Sequence, residues 1–329
     1  MIVAGINTKD ISVVVQGAVD DINTPVCLNN IRKHLKGATI ILSTWKGTNV
    51  KGLDYDEVVF SEDPGSTKDD YTCLMNNMNR QFRSTQNGLK VVKTKYAIKI
   101  RSDIILTSNC FLRYFDQFRK RNKKYQIFKH RVLFCSYFFK RYLGDTLSYI
   151  NPVPLHMSDW FAFGYTSDLR EIFEIELAQE PQYTNYLNIH DEKMPMERVY
   201  FASYKFPPEQ YLLLNCVRKH FKDFPRFNDI RDFSVENIQY ADNIVINNFI
   251  IINPKQISLY CGKNGNDPYK KWTQNELRLP HELWEGLYRF DVFENNYKKY
   301  CDKKYTPSLR GKFQVWKYLT FYKLFETWK

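Results

Sequence analysis

Apolar residues arrive in short runs that stop at polar or glycine residues: Ile11-Ser12-Val13-Val14-Val15-Gln16-Gly17, Ile40-Ile41-Leu42-Ser43-Thr44-Trp45 and Val58-Val59-Phe60-Ser61-Glu62-Asp63-Pro64-Gly65. Runs of this length bounded by turn residues predict strands. Between the first two, Thr24 to Leu35 reads as a helix, with Thr24 as its cap, Pro25 at the first helical position and Cys27, Ile31 and Leu35 on one stripe. Strand, helix, strand is the unit of a parallel sheet. In Tyr96-Ala97-Ile98-Lys99-Ile100-Arg101-Ser102-Asp103, Ile98 and Ile100 alternate with Lys99 and Arg101, and Asp103 falls where the strand should leave the sheet. Ligands of open α/β sheets bind outside such strand ends. Asp103 is therefore either a ligand-binding acid or one half of a surface salt bridge.

Farther along, the spacing predicts a helix from about Thr67 to Asn87 with Gly88 as its stop. Leu74, Met75, Met78 and Phe82 would turn inward, and Asn76, Asn79, Arg80 and Arg83 would present polar groups. Ser108 is placed to cap a second helix carrying Phe111, Leu112, Phe115 and Phe118. Ile127 to Phe139 reads as one or two strands and Trp160 to Tyr165 as another, after which Ser167 caps a helix with Leu169, Ile172 and Phe173. Gln179 to Lys193 is polar and turn-rich, a loop able to cover a site. A last apolar run spans Ile244 to Ile252, and Cys261 to Pro268 is a turn cluster. The tail interleaves Lys312, Lys317 and Lys323 with Trp316, Tyr318, Phe321, Tyr322 and Trp328, which suits either an interfacial anchor or an amphipathic helix docked on the domain.

Several of these segments occur together in a particular order: Val15-Gln16-Gly17, Ile41 to Trp45, Asp63-Pro64-Gly65, Asn76 to Gln81, Lys99 to Asp103 and Ser158 to Phe161. Collectively, and over roughly the first two-thirds of the chain, they resemble the WavE lipopolysaccharide-synthesis family. The resemblance implies a GT-A-type glycosyltransferase of bacterial lipopolysaccharide or capsule assembly, with a GT-A-like, Rossmann-type mixed sheet flanked by helices. Residues 1–255 would form the transferase domain, about 1–110 its nucleotide-binding half and 111–255 its acceptor half, with 256–329 a basic, mainly helical extension. It further implies that the loops after the first three strands frame a nucleotide-sugar, nominating Gln16, Gly17, Ser43, Thr44, Trp45, Asp63 and Gly65. One position departs from the family of folds: GT-A enzymes usually place two acids around one residue to bind metal, and here Arg101 occupies the first of those positions.

Composition narrows the partners. The chain has 329 residues, of which 43% are hydrophobic and 26% charged, as in a soluble globular protein. Its net charge of +12 attracts polyanions: nucleic acid, anionic lipid or a phosphorylated substrate. No helix-turn-helix, zinc-finger or RNP signature supports the nucleic-acid alternative. No apolar run approaches the roughly 20 residues of a membrane span, and Asn7, Lys9 and Asp10 interrupt any signal-peptide pattern. The expected location is cytoplasmic, with peripheral contact to the inner face of the cytoplasmic membrane through the tail. Seven widely spaced cysteines without a C-x-x-C pair read as reduced thiols.

Transfer from a nucleotide-sugar requires a grip on the diphosphate, a frame for the nucleoside and help for the acceptor hydroxyl. Asp103 is the candidate grip through Mn²⁺ or Mg²⁺, since hard cations take carboxylate oxygens. Arg80, Lys99 and Arg101 are electrostatic candidates; Arg101 is favoured because it ends the strand, next to Ser102. Gly17 lets backbone approach a ligand closely. Trp45 either stacks on a base or sugar or fills the core, and Asp63 either accepts from ribose hydroxyls or serves its Asp-Pro-Gly turn. Asp159 and Glu209 compete as general base for a glycan or lipid-linked glycan acceptor, Asp159 ranking first. His156 and Trp160 stand on the acceptor side, His156 as an assistant or as a structural hydrogen-bonding group.

Overall fold

The computed structural model describes residues 2–3, 5–70, 73, 75–137, 139–143, 151–186, 204–222, 224, 227–230, 232, 234–262 and 289–307. The chain begins with the short strands β1 (Ile2–Val3) and β2 (Ile6–Asn7), followed by β3 (Ile11–Gln16), α1 (Asn23–His34), β4 (Thr39–Trp45) and β5 (Glu57–Ser61). A small hairpin, β6 (Thr67–Lys68) and β7 (Met75–Asn76), leads into α2 (Met78–Val91), then β8 (Tyr96–Arg101) and β9 (Ile104–Leu106). Next come β10 (Val132–Cys135), β11 (Lys140–Leu143), β12 (Asn151–His156), β13 (Phe161–Tyr165) and α3 (Thr166–Phe173). The remaining elements are α4 (Pro208–His220), α5 (Val235–Asn248), β14 (Phe249–Ile252), β15 (Leu259–Cys261) and α6 (Phe290–Tyr300).

Seven strands form one mixed sheet in the order β14-β10-β13-β8-β3-β4-β5. Only β13 runs against its neighbours: β10 and β8 pair with it antiparallel, and every other pairing in the sheet is parallel. The central strands are apolar because both faces are covered; Ile11, Val13, Val14, Val15, Ile98 and Ile100 are all fully buried. After β3 the chain goes one way to β4 and β5, then returns to lay β8 on the other side of β3, which makes the carboxyl ends of β3 and β8 a topological switch point. This is the α/β architecture that the strand runs predict and the Rossmann-type mixed sheet that the family resemblance implies.

Local boundaries differ from the sequence pattern where distant partners intervene. Thr67–Lys68 and Met75–Asn76 pair as strands where the pattern predicts the first turns of a helix. Asn76 explains the later start: its side-chain oxygen accepts the N–H of Met78 at 3.0 Å while its amide donates to Thr184 Oγ1 at 2.9 Å. Gly88 does not stop α2 but lies inside it, at a point of close contact with the sheet. The helix ends at Val91, and Arg170 of α3 donates to the carbonyls of Leu89 and Val92 at 2.9 and 2.6 Å, satisfying two acceptors that helix termination leaves open. Asp20 rather than Thr24 receives the first N–H groups of α1, those of Ile22 and Asn23, at 3.0 and 2.6 Å. The expected helix after Ser108 is a single 3₁₀ turn, Cys110–Tyr114. The Ile244–Ile252 run divides into the end of α5 and β14, because Asn248 turns its side chain onto the backbone of Tyr125 and Ile127 at 2.7 Å each.

Beyond residue 255, β15 pairs with β9, and Phe293 and Tyr297 of α6 are buried against the core. The tail from 308 onward, residues 187–193 of the expected loop and the turn cluster past Gly262 lie outside the described residues. All seven cysteines are free thiols, and Cys27, Cys135, Cys216 and Cys261 are buried.

Candidate active site

Because β3, β4 and β8 pair in parallel, Gln16 lies level with Arg101 on one side and Ser43 on the other. A cavity of about 610 Å³ opens at these strand ends, a volume in the range of small-molecule sites. Ten of the residues nominated from the sequence line it: Gln16, Gly17, Trp45, Asp63, Arg80, Arg101, Ser102, Asp103, Asp159 and Glu209. Gly17 adopts φ +117°, a conformation that L side chains rarely take, and its N–H donates to Ser43 O at 3.1 Å. The next turn is fixed across the sheet, with Ser102 N–H donating to Gln16 O at 3.0 Å and Ser102 Oγ to Ala18 O at 2.6 Å. Gln16 Oε1 accepts from Ser84 Oγ of α2 at 2.6 Å. Its Nε2 donors have no partner among the described residues.

The floor of the cavity is a chain of charges. Arg101 donates from Nε and Nη2 to the two carboxylate oxygens of Asp103 at 3.0 and 2.7 Å, and from Nη1 to Asp159 Oδ2 at 3.3 Å. Its guanidinium carbon stands 5.9 Å from the Trp160 ring, which in turn packs on Tyr137 at 3.9 Å between centroids. Burial opposes the charge on Arg101, but the carboxylates of Asp159 and Asp103 outweigh it and raise its pKa. Lys99, two residues earlier on the same side of the strand, is buried completely and donates to the backbone carbonyl of Asp159. Burial pushes Lys99 down to about 8, against the pull of Asp159. Cys135, beside it, is pushed up to about 11 by the same desolvation.

On the opposite wall Arg80 forks onto Asp63 at 2.7 and 2.6 Å and donates to Asn77 Oδ1 at 2.9 Å. The hydrogen bonds from Arg80 hold the Asp63 carboxyl below its ordinary range. Glu209, in the first turn of α4, approaches His156 with Oε2 3.6 Å from Nε2.

Besides Lys99, five nominated residues lie outside the cavity lining. Ser43 is buried with Oγ donating to Ser84 O at 2.6 Å, so its side chain fastens α2 to the sheet. Thr44 is buried in β4. Gly65 donates its N–H to Asp63 Oδ1 at 3.0 Å and so orients an acid that does line the site. His156 and Trp160 are buried behind Glu209 and Arg101 respectively. Other lining residues carried no assigned role: Gln81, Asn77 and Tyr204. Gln81 falls within the Asn76–Gln81 segment, whereas Tyr204 stands in no sequence pattern that marks it.

A divalent cation at Asp103 is a poor match to these groups. Both Asp103 oxygens already accept N–H groups from Arg101, and the described residues contain no cluster of three or more His, Cys, Asp or Glu side chains able to hold a metal. Two unit charges about 4 Å apart interact by about 4 kcal/mol at an effective dielectric near 20. An ion on Asp103 would therefore have to displace the Arg101 fork and overcome its repulsion.

The mixed Rossmann-type sheet thus carries a polar, charge-lined cavity at its switch point, where open α/β sheets bind their ligands. The chain belongs to the WavE lipopolysaccharide synthesis family, whose model it matches over residues 11–319. Among solved structures it is similar to 4-diphosphocytidyl-2C-methyl-D-erythritol synthase from Anaerococcus prevotii DSM 20548, with 12% identity over 71% of this chain and 97% of that one and a TM-score of 0.32. It is also similar to S. aureus TarS, with 12% identity, a TM-score of 0.34, and coverage of 63% of this chain and 33% of that one. No curated protein matches it. Among the described residues no helix is long and apolar enough to cross a membrane.

Proposed function

We propose that the protein transfers a sugar from a nucleotide-sugar donor to a hydroxyl of a glycan or lipid-linked glycan acceptor in lipopolysaccharide or capsule assembly. The observation that carries this reading is the convergence of Gln16, Arg101, Asp103 and Asp159 on one cavity at the switch point. Gln16 offers amide donors beside the close backbone approach at Gly17, which suits the nucleoside end of the donor. Arg101 faces the same space with positive charge for the diphosphate. Asp159 enters from the other side, one carboxylate oxygen held by Arg101 and Oδ1 without a partner among the described residues, which suits it to take the proton of an acceptor hydroxyl. Glu209, lining the same cavity, is the second candidate for that step.

The test is a panel of nucleotide-sugars incubated with the purified protein, with and without lipid-linked or free oligosaccharide, followed by detection of released nucleoside diphosphate and of extended glycan. Acceptor-dependent release from at least one donor is expected. Binding to oligonucleotides with steep salt dependence, and no release from any donor, would refute the reading.

A further inference from the structure

Arg101 has more to give than the two carboxylates take. A guanidinium carries five N–H donors; Nε–H and one Nη2–H go to Asp103, one Nη1–H goes to Asp159, and two remain without a described partner. The side chain is 29% exposed while Asp103 beneath it is 3% exposed, so the fork lies at the bottom and the exposed part of the guanidinium belongs to the cavity lining. Trp160 flanks the guanidinium and Lys99 fixes the backbone carbonyl of Asp159, so the arginine is held on several sides in a single orientation. A planar cation fixed in this way is suited to recognise phosphate oxygens in pairs.

Resting on the nucleotide-sugar reading above, we propose that Arg101 takes the place of a divalent cation: its two remaining N–H groups bind the donor's diphosphate, and Asp103 serves as the positioning residue that aims them. In the transfer step the bond between the anomeric carbon and the diphosphate oxygen breaks with its electron pair on that oxygen. The acceptor oxygen bonds the anomeric carbon, its proton passes to a carboxylate of the site, and Arg101 stabilises the charge gained by the departing diphosphate. Asp103 is needed because a free arginine side chain samples many rotamers, whereas one forked to a buried carboxylate is already oriented.

The experiment is calorimetric titration of the full chain, stripped of metals, with UDP, GDP, CDP and ADP, first in chelator and then in excess Mn²⁺ or Mg²⁺. At least one nucleoside diphosphate should bind with the same Kd, within about twofold, in both conditions, and Arg101→Lys should weaken it by about tenfold or more. Asp103→Asn should weaken it in the same direction, again without any response to metal. Binding that tightens about tenfold or more when Mn²⁺ or Mg²⁺ is added would overturn the inference while leaving the proposed function standing. Arg101→Lys binding as tightly as the unaltered chain would also overturn it. If no nucleoside diphosphate binds in either condition, the nucleotide-sugar reading itself fails, and this inference with it. The metal comparison uses the unaltered protein and so does not depend on any variant folding.

Discussion

Gly88→Ala tests how closely α2 must approach the sheet for the cavity to exist. A Cβ built on Gly88 would stand 2.4 Å from Val14 Cγ1 and 3.0 Å from Ser43 Cβ, distances at which an atom must move. Two effects of opposite sign compete. Alanine in place of an interior helical glycine is favourable by about 1 kcal/mol through backbone entropy. Overpacking a closed core costs about 1–3 kcal/mol, and the upper end applies here because Val14 is fully buried and β-branched, with little rotameric freedom. The expected net is a loss of about 2 kcal/mol. The consequence should extend to binding. Moving α2 outward stretches the bonds from Ser43 Oγ to Ser84 O and from Ser84 Oγ to Gln16 Oε1, both 2.6 Å, and displaces Gln16 from the cavity wall. Urea unfolding of the two proteins measures the first effect, and nucleoside diphosphate affinity in the native range the second. Adding Val14→Ala to Gly88→Ala removes the clash, so the two substitutions together should cost less than the sum of each alone by about 1–2 kcal/mol. Gly88→Ala as stable as the unaltered protein, or more so, would refute the reasoning and show that propensity outweighs contact at this site.

Three further outcomes are expected. Lys99 has a folded pKa near 8 against an ordinary 10.5; below pH 8 both states hold the proton and the burial cost is full, while between these values the unfolded chain binds more protons and stability rises with pH, by up to about 3 kcal/mol. The difference in unfolding free energy between the unaltered chain and Lys99→Met, followed from pH 7 to 10.5, should show that rise, and a flat difference would contradict it. Asp159→Asn should slow sugar transfer while leaving nucleoside diphosphate affinity within about threefold; normal transfer by Asp159→Asn together with loss in Glu209→Gln would move the base to α4. Removing residues 308–329 should weaken partitioning to anionic vesicles more than turnover of a soluble acceptor, and a joint fall in melting temperature and activity with unchanged partitioning would exclude the membrane role.

The parallel half of the sheet was legible because β3, β4 and β8 bury both faces and then stop at a residue that must face something polar: Gln16, Trp45 and Arg101 all end strands at the cavity. What the sequence hides are partners far away in the chain. Asn76 looks like one more polar helical position until Thr184 meets it, and Gly88 looks like a stop until Val14 lies against it. Ser43 and Thr44 sit at a strand end like Gln16, yet α2 covers Ser43 and removes it from the site. Asp103 illustrates the limit for the site: its position was readable from alternation, whereas the return of Arg101 onto it, a pairing of residues two apart across a turn, depends on side-chain conformations that a linear pattern does not contain.

The reversed direction of β13 brings the cavity its polar groups from opposite ends of strands. Gln16 and Arg101 arrive as the last residues of parallel strands, whereas Asp159 and Trp160 come immediately before β13 begins, because its start, not its finish, lies next to Ile100. The amide of Gln16 and the guanidinium of Arg101 are therefore written at the ends of strands, and the carboxylate of Asp159 ahead of the start of one. The stretch between β10 and β13 contributes Asp159 to the cavity but none of the strand register that places Gln16 beside Arg101.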